Sequence, residues 1–316
     1  MPVDRDLIER HVRYEDPRNG IAEEFLRPMI GGARTVAVLS TPLGVPVGLG
    51  FVVCPSFGPE HTQLNGLEVW VARAMAGAGF PVLRYQSQGY GDSEGSRDAI
   101  GPLSHLADAA DAAGVLSERL DGAPVAMIGG LFGAMVAALT AQRLGLAGLA
   151  VWEPAIDGAR YAERLLRNLA LQDMATARNQ ERPRPPLTEL RERLASGGVD
   201  AQGFLFTKRA YDELASMSLA RDLGTFNGAS LVLSVSRSGR PSPAASALHE
   251  HLEQGSGTAT LRTIQDKIVR PLGTYRFVAF NDRPGRLDTQ FALNAEIASA
   301  TVAWAQGVSV SLGGAA

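Results

Sequence analysis

Apolar and polar positions follow two distinct periods along this chain. Short, nearly continuous apolar runs of β type occur at 34–41 (RTVAVLST), 47–54 (VGLGFVVC), 80–86 (FPVLRYQ), 124–129 (PVAMIG), 146–153 (LAGLAVWE), 229–236 (ASLVLSVS), 258–264 (TATLRTI) and 274–280 (TYRFVAF). Between them, at 64–79, 103–120, 133–145, 242–254 and 289–306, apolar residues recur three and four positions apart, as on one face of a helix. Strands alternating with helices predict an α/β domain with a mostly parallel central sheet flanked by helices. The central strands are almost bare of polar residues, as strands buried on both faces must be. The runs 34–41 and 47–54 have no helix between them, and Gly44-Val45-Pro46 fits a turn, so the sheet is expected to open with an antiparallel hairpin. The tail VSVSLGGAA reads as a short edge strand with a frayed end.

The rhythm breaks at residues 155–226. Helical patterns occur there, in ARYAERLLRNLALQDMATARN and LTELRERLASG, with a Pro-rich hinge at 182–186 and no good strand run. This is the pattern of a helical insertion between two strands of one sheet, lying over its C-terminal edge as a lid. The expected organisation is a core of 1–154 and 227–316 with a cap at 155–226.

Composition narrows the class. The 316 residues are 45 % apolar and 20 % charged, with a net charge of −3. Both signs are interspersed, which excludes the basic signature of nucleic-acid or anionic-membrane binding. No apolar run reaches the roughly 18 to 20 residues that span a bilayer. The charged start, MPVDRDLIERHVRYED, has no signal-peptide core, so a cytoplasmic location is expected. Cys54 is the single cysteine, which rules out an intramolecular disulfide, and no CxxC or HxxxH spacing marks a metal site. No cofactor is expected. The partner is a small-molecule substrate or ligand, and an exposed lid or edge strand leaves room for a homodimer.

Three stretches carry chemistry. GFVVCPSFGPEHT (50–62) ends a central strand in a polar loop; FPVLRYQSQGYGDSEG (80–95) ends the next in a Gly-rich one; and VAMIGGLFGAMVAAL (125–139) is a strand, a tight turn and a helix. In this order and spacing they resemble the α/β-hydrolase fold superfamily: an oxyanion loop, a G-x-G-x-S-x-G loop at Gly89–Gly95, and a nucleophile elbow. CPSFGPEHTQLN, GYGDSEG, GLFGA and VWEPAIDGARYAERLLR are also similar to bacterial exosortase-system-associated hydrolases and the serine-aminopeptidase-like group. The resemblance implies an α/β-hydrolase fold with its pocket at the C-terminal ends of the strands.

The resemblance also implies a Ser-His-acid triad, and each position departs from it. The elbow reads Gly129-Gly130-Leu131-Phe132-Gly133, so the nucleophile's place holds Leu131, which has no lone pair and no acidic proton. The usual acid site reads Arg237-Ser238-Gly239-Arg240, and the usual histidine loop, 280–286, reads FNDRPGR; no histidine follows His251. Glu153 could supply the acid from the preceding strand, or simply begin the next segment beside Pro154. The backbone N–H of Phe132 would still serve as an oxyanion donor.

The oxyanion loop offers other groups. Glu60 and His61 are the candidate catalytic residues, His61 moving a proton and Glu60 orienting it or binding a cationic group; equally, both open the next helix, with Glu60 at its positive end. Cys54 is expected to face the core as a small hydrophobe rather than act as a nucleophile. Ser56 could hydrogen-bond a ligand, and Phe57, Leu131, Phe132 and Trp152 could form an apolar pocket floor. Asp92 and Ser93 are expected to hold turn geometry, and Gln86 and Gln88 to be neutral ligand contacts if near the pocket. The function expected is a non-hydrolytic or non-covalent enzyme acting on a small biosynthetic intermediate under the lid. The alternatives are a catalytically silent ligand-binding or accessory protein, and a hydrolase or acyltransferase using a non-standard nucleophile or activated water.

Overall fold

A computed structural model describes residues 12–176, 187–266 and 286–313. A nine-stranded sheet forms its centre, from β1 (Arg13–Asp16), β2 (Ile21–Leu26), β5 (Ala37–Pro42), β6 (Gly50–Cys54), β7 (Val82–Tyr85), β8 (Val125–Gly130), β9 (Gly148–Trp152), β12 (Ala229–Ser236) and β13 (Ala259–Gln265). Their order across the sheet is β1-β2-β5-β7-β6-β8-β9-β12-β13. β1, β2 and β5 join antiparallel, β5 pairs antiparallel with β7, and all pairs from β7 to β13 are parallel. A two-stranded piece, β3 (Met29–Ile30) with β4 (Ala33–Arg34), lies beside it. The all-buried strands β6, β8 and β9 are those whose sequences carry no polar residue to place in water.

Helices cover both faces. α1 (Pro59–Gly77) and α9 (Arg286–Gly313) bury Leu64, Val71, Met75 and Ile297 against Phe51 and Ile128. α2 (Pro102–Arg119) and α3 (Phe132–Leu144) bury Ala109, Leu116 and Met135 against Val52 and Met127 on the other face. Between β9 and β12 run α4 (Gly158–Thr176), α5 (Leu187–Ser196), the hairpin β10 (Gly198–Ala201) and β11 (Phe204–Thr207), α6 (Lys208–Ser216) and α7 (Leu219–Asp222). Tyr161, Leu165 and Leu214 of this segment join the core on the α2/α3 face. α8 (Pro243–Leu252) connects β12 to β13.

Three expectations change. The runs at 34–41 and 47–54 do not form a hairpin: β7 lies between β5 and β6, because β6 is paired parallel on both its edges. The opening hairpins are β1/β2 and β2/β5 instead; β1 is RYED, three of its four residues exposed, a charged edge that discourages pairing with other chains. The segment 155–226 does contain strands. Val199–Ala201 and Phe204–Phe206 close on Gln202 and Gly203, both at positive φ (58° and 88°), the geometry of a two-residue hairpin loop. The tail at 308–313 is the end of α9, with Val308 buried against the sheet and Val310 exposed, so packing overrides the β-branched alternation. The expected strand at 274–280 and the hinge at 182–186 lie outside the described residues.

Candidate functional site

The oxyanion loop leaves the C-terminal end of β6 and runs directly into α1. Pro59 stands at its first position, and Gly58 takes φ 59°, ψ −135°, a conformation closed to most side chains. The Gly58 N–H donates to the Tyr90 hydroxyl (3.0 Å), which ties this loop to the Gly-rich loop after β7. Glu60 and His61 fall in the first turn of α1, which starts at Pro59, ahead of the expected start at 64.

Glu60 is the centre of the best-built polar cluster. Its side chain is 3 % exposed, and its two oxygens take three donors: Ser56 Oγ (3.3 Å) and Tyr161 Oη (2.6 Å) on Oε2, and Arg164 Nη2 (3.0 Å) on Oε1. Arg164 also stacks over the Tyr161 ring at 5.1 Å. Burial pushes the Glu60 carboxyl above the usual carboxylate range, and the Arg164 guanidinium with the Tyr161 and Ser56 hydroxyls pulls it back. Tyr161 and Arg164 sit three apart on α4, so one helix face delivers both to the loop. The cluster is thus a tie between α4 and the oxyanion loop, in which both oxygens of Glu60 accept hydrogen bonds.

His61 packs edge-on against Tyr90 (5.1 Å between ring centres), and its buried Nδ1 has no hydrogen-bond partner. Desolvation lowers its pKa to about 4, so the ring is neutral at pH 7. A second histidine belongs to the same aromatic cluster. His105 on α2 is 1 % exposed and touches Phe57, Tyr90 and Phe132 at ring distances of 5.5, 5.4 and 5.7 Å. Its Nδ1 donates to the Gly101 carbonyl (3.0 Å), which leaves Nε2 as a bare, buried acceptor without a partner. Its pKa is also lowered to about 4 by burial.

The elbow is present and closed. Leu131 takes φ 52°, ψ −116° between β8 and α3. A Cβ on Gly129 would meet the Gly133 carbonyl oxygen at 2.2 Å, and one on Gly133 would meet the Cys54 carbonyl oxygen at 2.4 Å, so both must be glycine. Leu131 is 3 % exposed; its N–H donates to the Trp152 carbonyl and its own carbonyl accepts from Ala155, both at 3.0 Å. Its side chain lies in the core on the α1/α9 face, and Phe132, fully buried, packs on Phe57 and Tyr161 on the other.

A narrow cleft, partly open to solvent, lies between the oxyanion loop, α4 and the β10–β11 hairpin. Phe57, Tyr90, Ile100, Leu165, Phe204 and Phe206 give it apolar walls, and Glu60, Gln63 and Asn168 are polar groups in its lining. Of the residues expected at the site, only Phe57 and Glu60 line it. Leu131 and Phe132 are sealed in the core, and Trp152 is not a floor residue at all: it is fully buried, with Nε1 bonded to Thr301 of α9 at 3.2 Å. The apolar character of these residues is spent on packing the sheet. Ser56 is 0 % exposed and bonded to Glu60, and His61 lies behind Tyr90.

Glu153 caps the end of β9 at φ 44° and accepts from Ser234 Oγ (2.7 Å) and the Val235 N–H (2.6 Å), fastening β9 to β12. Cys54 is fully buried with its Sγ 3.5 Å from Met127 Sδ, and burial pushes its thiol far above the usual range. Ser93 accepts from the Val36 N–H and donates to the Gln86 carbonyl, holding its loop, while Gln88 is bonded to Asp108. Among the described residues no group of three or more His, Cys, Asp or Glu could hold a metal ion, and no helix is long and apolar enough to cross a membrane.

Sequence reasoning did not single out His105, Tyr161, Arg164 or Gln63. His105 had a signal, a histidine on the apolar stripe of an Ala-rich helix. Tyr161 and Arg164 had none, because their partner is a hundred residues away in the chain.

This sheet order, with a positive-φ elbow between β8 and α3 and an oxyanion loop after β6, is that of the α/β-hydrolase fold, and the chain has this fold. Solved structures of that fold superpose on nearly all of it. Est1E from Butyrivibrio proteoclasticus does so at a TM-score of 0.54 and 12 % identity, over 90 % of this chain and 99 % of its own. EstE1, a thermophilic carboxylesterase cloned from a metagenomic library, gives 0.54 and 15 % over 89 % and 88 %. DcsB in complex with its substrate analogue gives 0.52 and 18 % over 89 % and 99 %. At these identities the likeness is one of fold. No family model and no curated protein matches the chain.

Proposed function

We propose that this chain is an α/β-hydrolase-fold protein without serine-hydrolase chemistry, which binds a small, largely apolar molecule non-covalently between the oxyanion loop and a cap formed by residues 155–226. The observation that carries this reading is Leu131: the nucleophile's place holds an inert side chain, 3 % exposed, while the pocket lies apart from it. The chain has no histidine after His251, so the base is missing from its usual loop as well. A loop nucleophile finds little support, since Cys54 is sealed in the core with a raised pKa and the Ser56 hydroxyl is engaged by Glu60. The pocket's walls are aromatic and aliphatic, which suits an apolar ligand held by shape and a few polar contacts.

The test pairs two measurements. A fluorophosphonate probe should leave the protein unlabelled, and the fluorescent probe N-phenyl-1-naphthylamine should bind in one saturable site. Asn168→Trp, which fills the pocket from a half-buried position, should weaken that binding tenfold or more. Labelling of the native chain, or binding indifferent to Asn168→Trp, would sink the proposal.

A second reading, a non-covalent enzyme acting by proton transfer, is favoured by the unpartnered Nδ1 of neutral His61 next to Glu60. It requires a turnover that His61→Ala abolishes.

A further inference from the structure

Two histidines pack on one tyrosine ring, beneath the part of the cap that walls the cleft. His61 of α1 and His105 of α2 each lie edge-on to Tyr90, at 5.1 and 5.4 Å between ring centres. Phe204 of the β10–β11 hairpin rests on Tyr90 (5.0 Å), and Phe206 rests on Phe57 (5.8 Å), which covers His105 at 5.5 Å. The hairpin is therefore seated on the two rings that lie against the histidines. Each imidazole keeps one buried nitrogen without a hydrogen-bond partner, Nδ1 of His61 and Nε2 of His105. The carboxylates around the pair are already engaged. Glu60, beside His61, is held by Ser56, Tyr161 and the Arg164 cation. Asp108, three residues along α2 from His105, accepts from the backbone and side-chain N–H groups of Gln88. Glu213 of α6 reaches the start of α2, where it accepts from Arg209 and the Leu103 N–H. Tyr90 Oη takes the Gly58 N–H. A proton added to either ring would thus be a buried N–H without an acceptor, on a cation in an aromatic box. Water reaches it only where Tyr90 or Phe57 moves, and the hairpin rests on both.

Independently of what the cleft binds, we infer that the histidine pair is an acid-sensitive latch: protonation of His61 and His105 releases the β10–β11 hairpin from Tyr90 and Phe57 and opens the cleft. Gly197 and Gly198, in succession where the hairpin leaves α5, supply a hinge free of side chains. Burial lowers both imidazoles from 6.5 to about 4 in the closed form, whereas a hydrated histidine titrates near 6.5. The closed form is therefore favoured above pH 6.5 and loses ground as the pH falls toward 4. Between pH 7 and pH 5 the opening constant rises about twentyfold for each histidine that gains water.

Cys54, the single cysteine, is fully buried in β6, so a thiol placed under the hairpin can report opening against an internal control. Ala201→Cys puts one in β10, at a residue that lines the cleft and is 3 % exposed. Labelling of the introduced thiol by dithiodipyridine, normalised to glutathione at each pH, should quicken tenfold or more from pH 7 to pH 5, with Cys54 unlabelled. In that background His61→Phe and His105→Phe should each cut the rise at least threefold, and together flatten it to within twofold. A rise below tenfold, a matching rise at Cys54, or a rise unchanged by these substitutions would overturn the latch. A matching rise at Cys54 would mean that acid unfolds the whole chain rather than lifting the hairpin. Should the double variant fail to fold, a rise unchanged in both single variants overturns it equally; should Ala201→Cys fail, Leu205→Cys on β11 repeats the test from the other strand.

Discussion

His105 shows how much one residue's surroundings can alter its chemistry. It sits on the apolar stripe of α2, 1 % exposed, inside a ring of Phe57, Tyr90 and Phe132. Charging it there means placing an imidazolium in a nearly dry aromatic box, and its pKa falls from 6.5 to about 4. The unfolded chain therefore takes up a proton between pH 6.5 and 4 that the folded chain refuses. Stability from this group is full above pH 6.5 and is lost as the pH falls toward 4. His105→Phe removes the titration and keeps an aromatic ring in the cluster; the Gly101 carbonyl it leaves still accepts from the Ser104 hydroxyl. The stability lost between pH 7 and pH 5 should be smaller in this variant by roughly 2 kcal/mol, read from urea unfolding at the two pH values. Equal losses in both proteins would refute the assignment. The same scale shows what the chain's pattern made readable. Gly129, Gly133 and the closed fate of Cys54 follow from spacing and apolarity alone. The misplacement of Trp152 does not, because alternation says that a strand residue is buried without saying on which face of the sheet the ligand lies.

Elements were readable where one period persists. The parallel strands and the helices of the core announce themselves, since a strand buried on both faces carries few polar residues and an amphipathic helix repeats near 3.6. The N-terminal strands were not, because RYED and IAEEFL carry the charges that an exposed edge tolerates. Nor was the sheet order: that β7 inserts between β5 and β6 depends on pairings no local pattern records. The tie between α4 and the oxyanion loop belongs to this scale as well. Arg164 is partly exposed and Glu60 is buried, so removing the cation strands a carboxylate more than it exposes a guanidinium. Arg164→Ala should cost on the order of 1–3 kcal/mol and should speed amide exchange in α4 and the first turn of α1, with β8 unchanged. Exchange that rises equally in β8 would mean a global loss, and no change in α4 would mean the tie is decorative.

At the scale of the whole molecule, the α/β fold and the glycine frame of the elbow were readable in the sequence, while the location of the pocket was not. A ligand resting on Leu131 was the natural expectation from an elbow that keeps its glycines. The elbow is instead buried, its carbonyl taken by the Ala155 N–H, and the pocket lies apart from it, lined in part by a hairpin at 198–207 that no strand signal announced. This bears on whether a serine restored at position 131 would revive a hydrolase. A serine there would inherit φ 52° from the turn, the conformation that a nucleophile elbow uses. It would gain neither a base, since no histidine follows His251, nor access, since the position is 3 % exposed. An alcohol without a base at this site has no means of becoming an alkoxide near neutral pH. Leu131→Ser should therefore leave p-nitrophenyl acetate hydrolysis at the background rate. It should also lower stability by roughly 2–4 kcal/mol, because a buried leucine is replaced by a hydroxyl and a void. A burst of p-nitrophenol, or fluorophosphonate labelling at residue 131, would show that a base and an opening exist in solution, and the reading of the elbow as retained architecture would then be wrong.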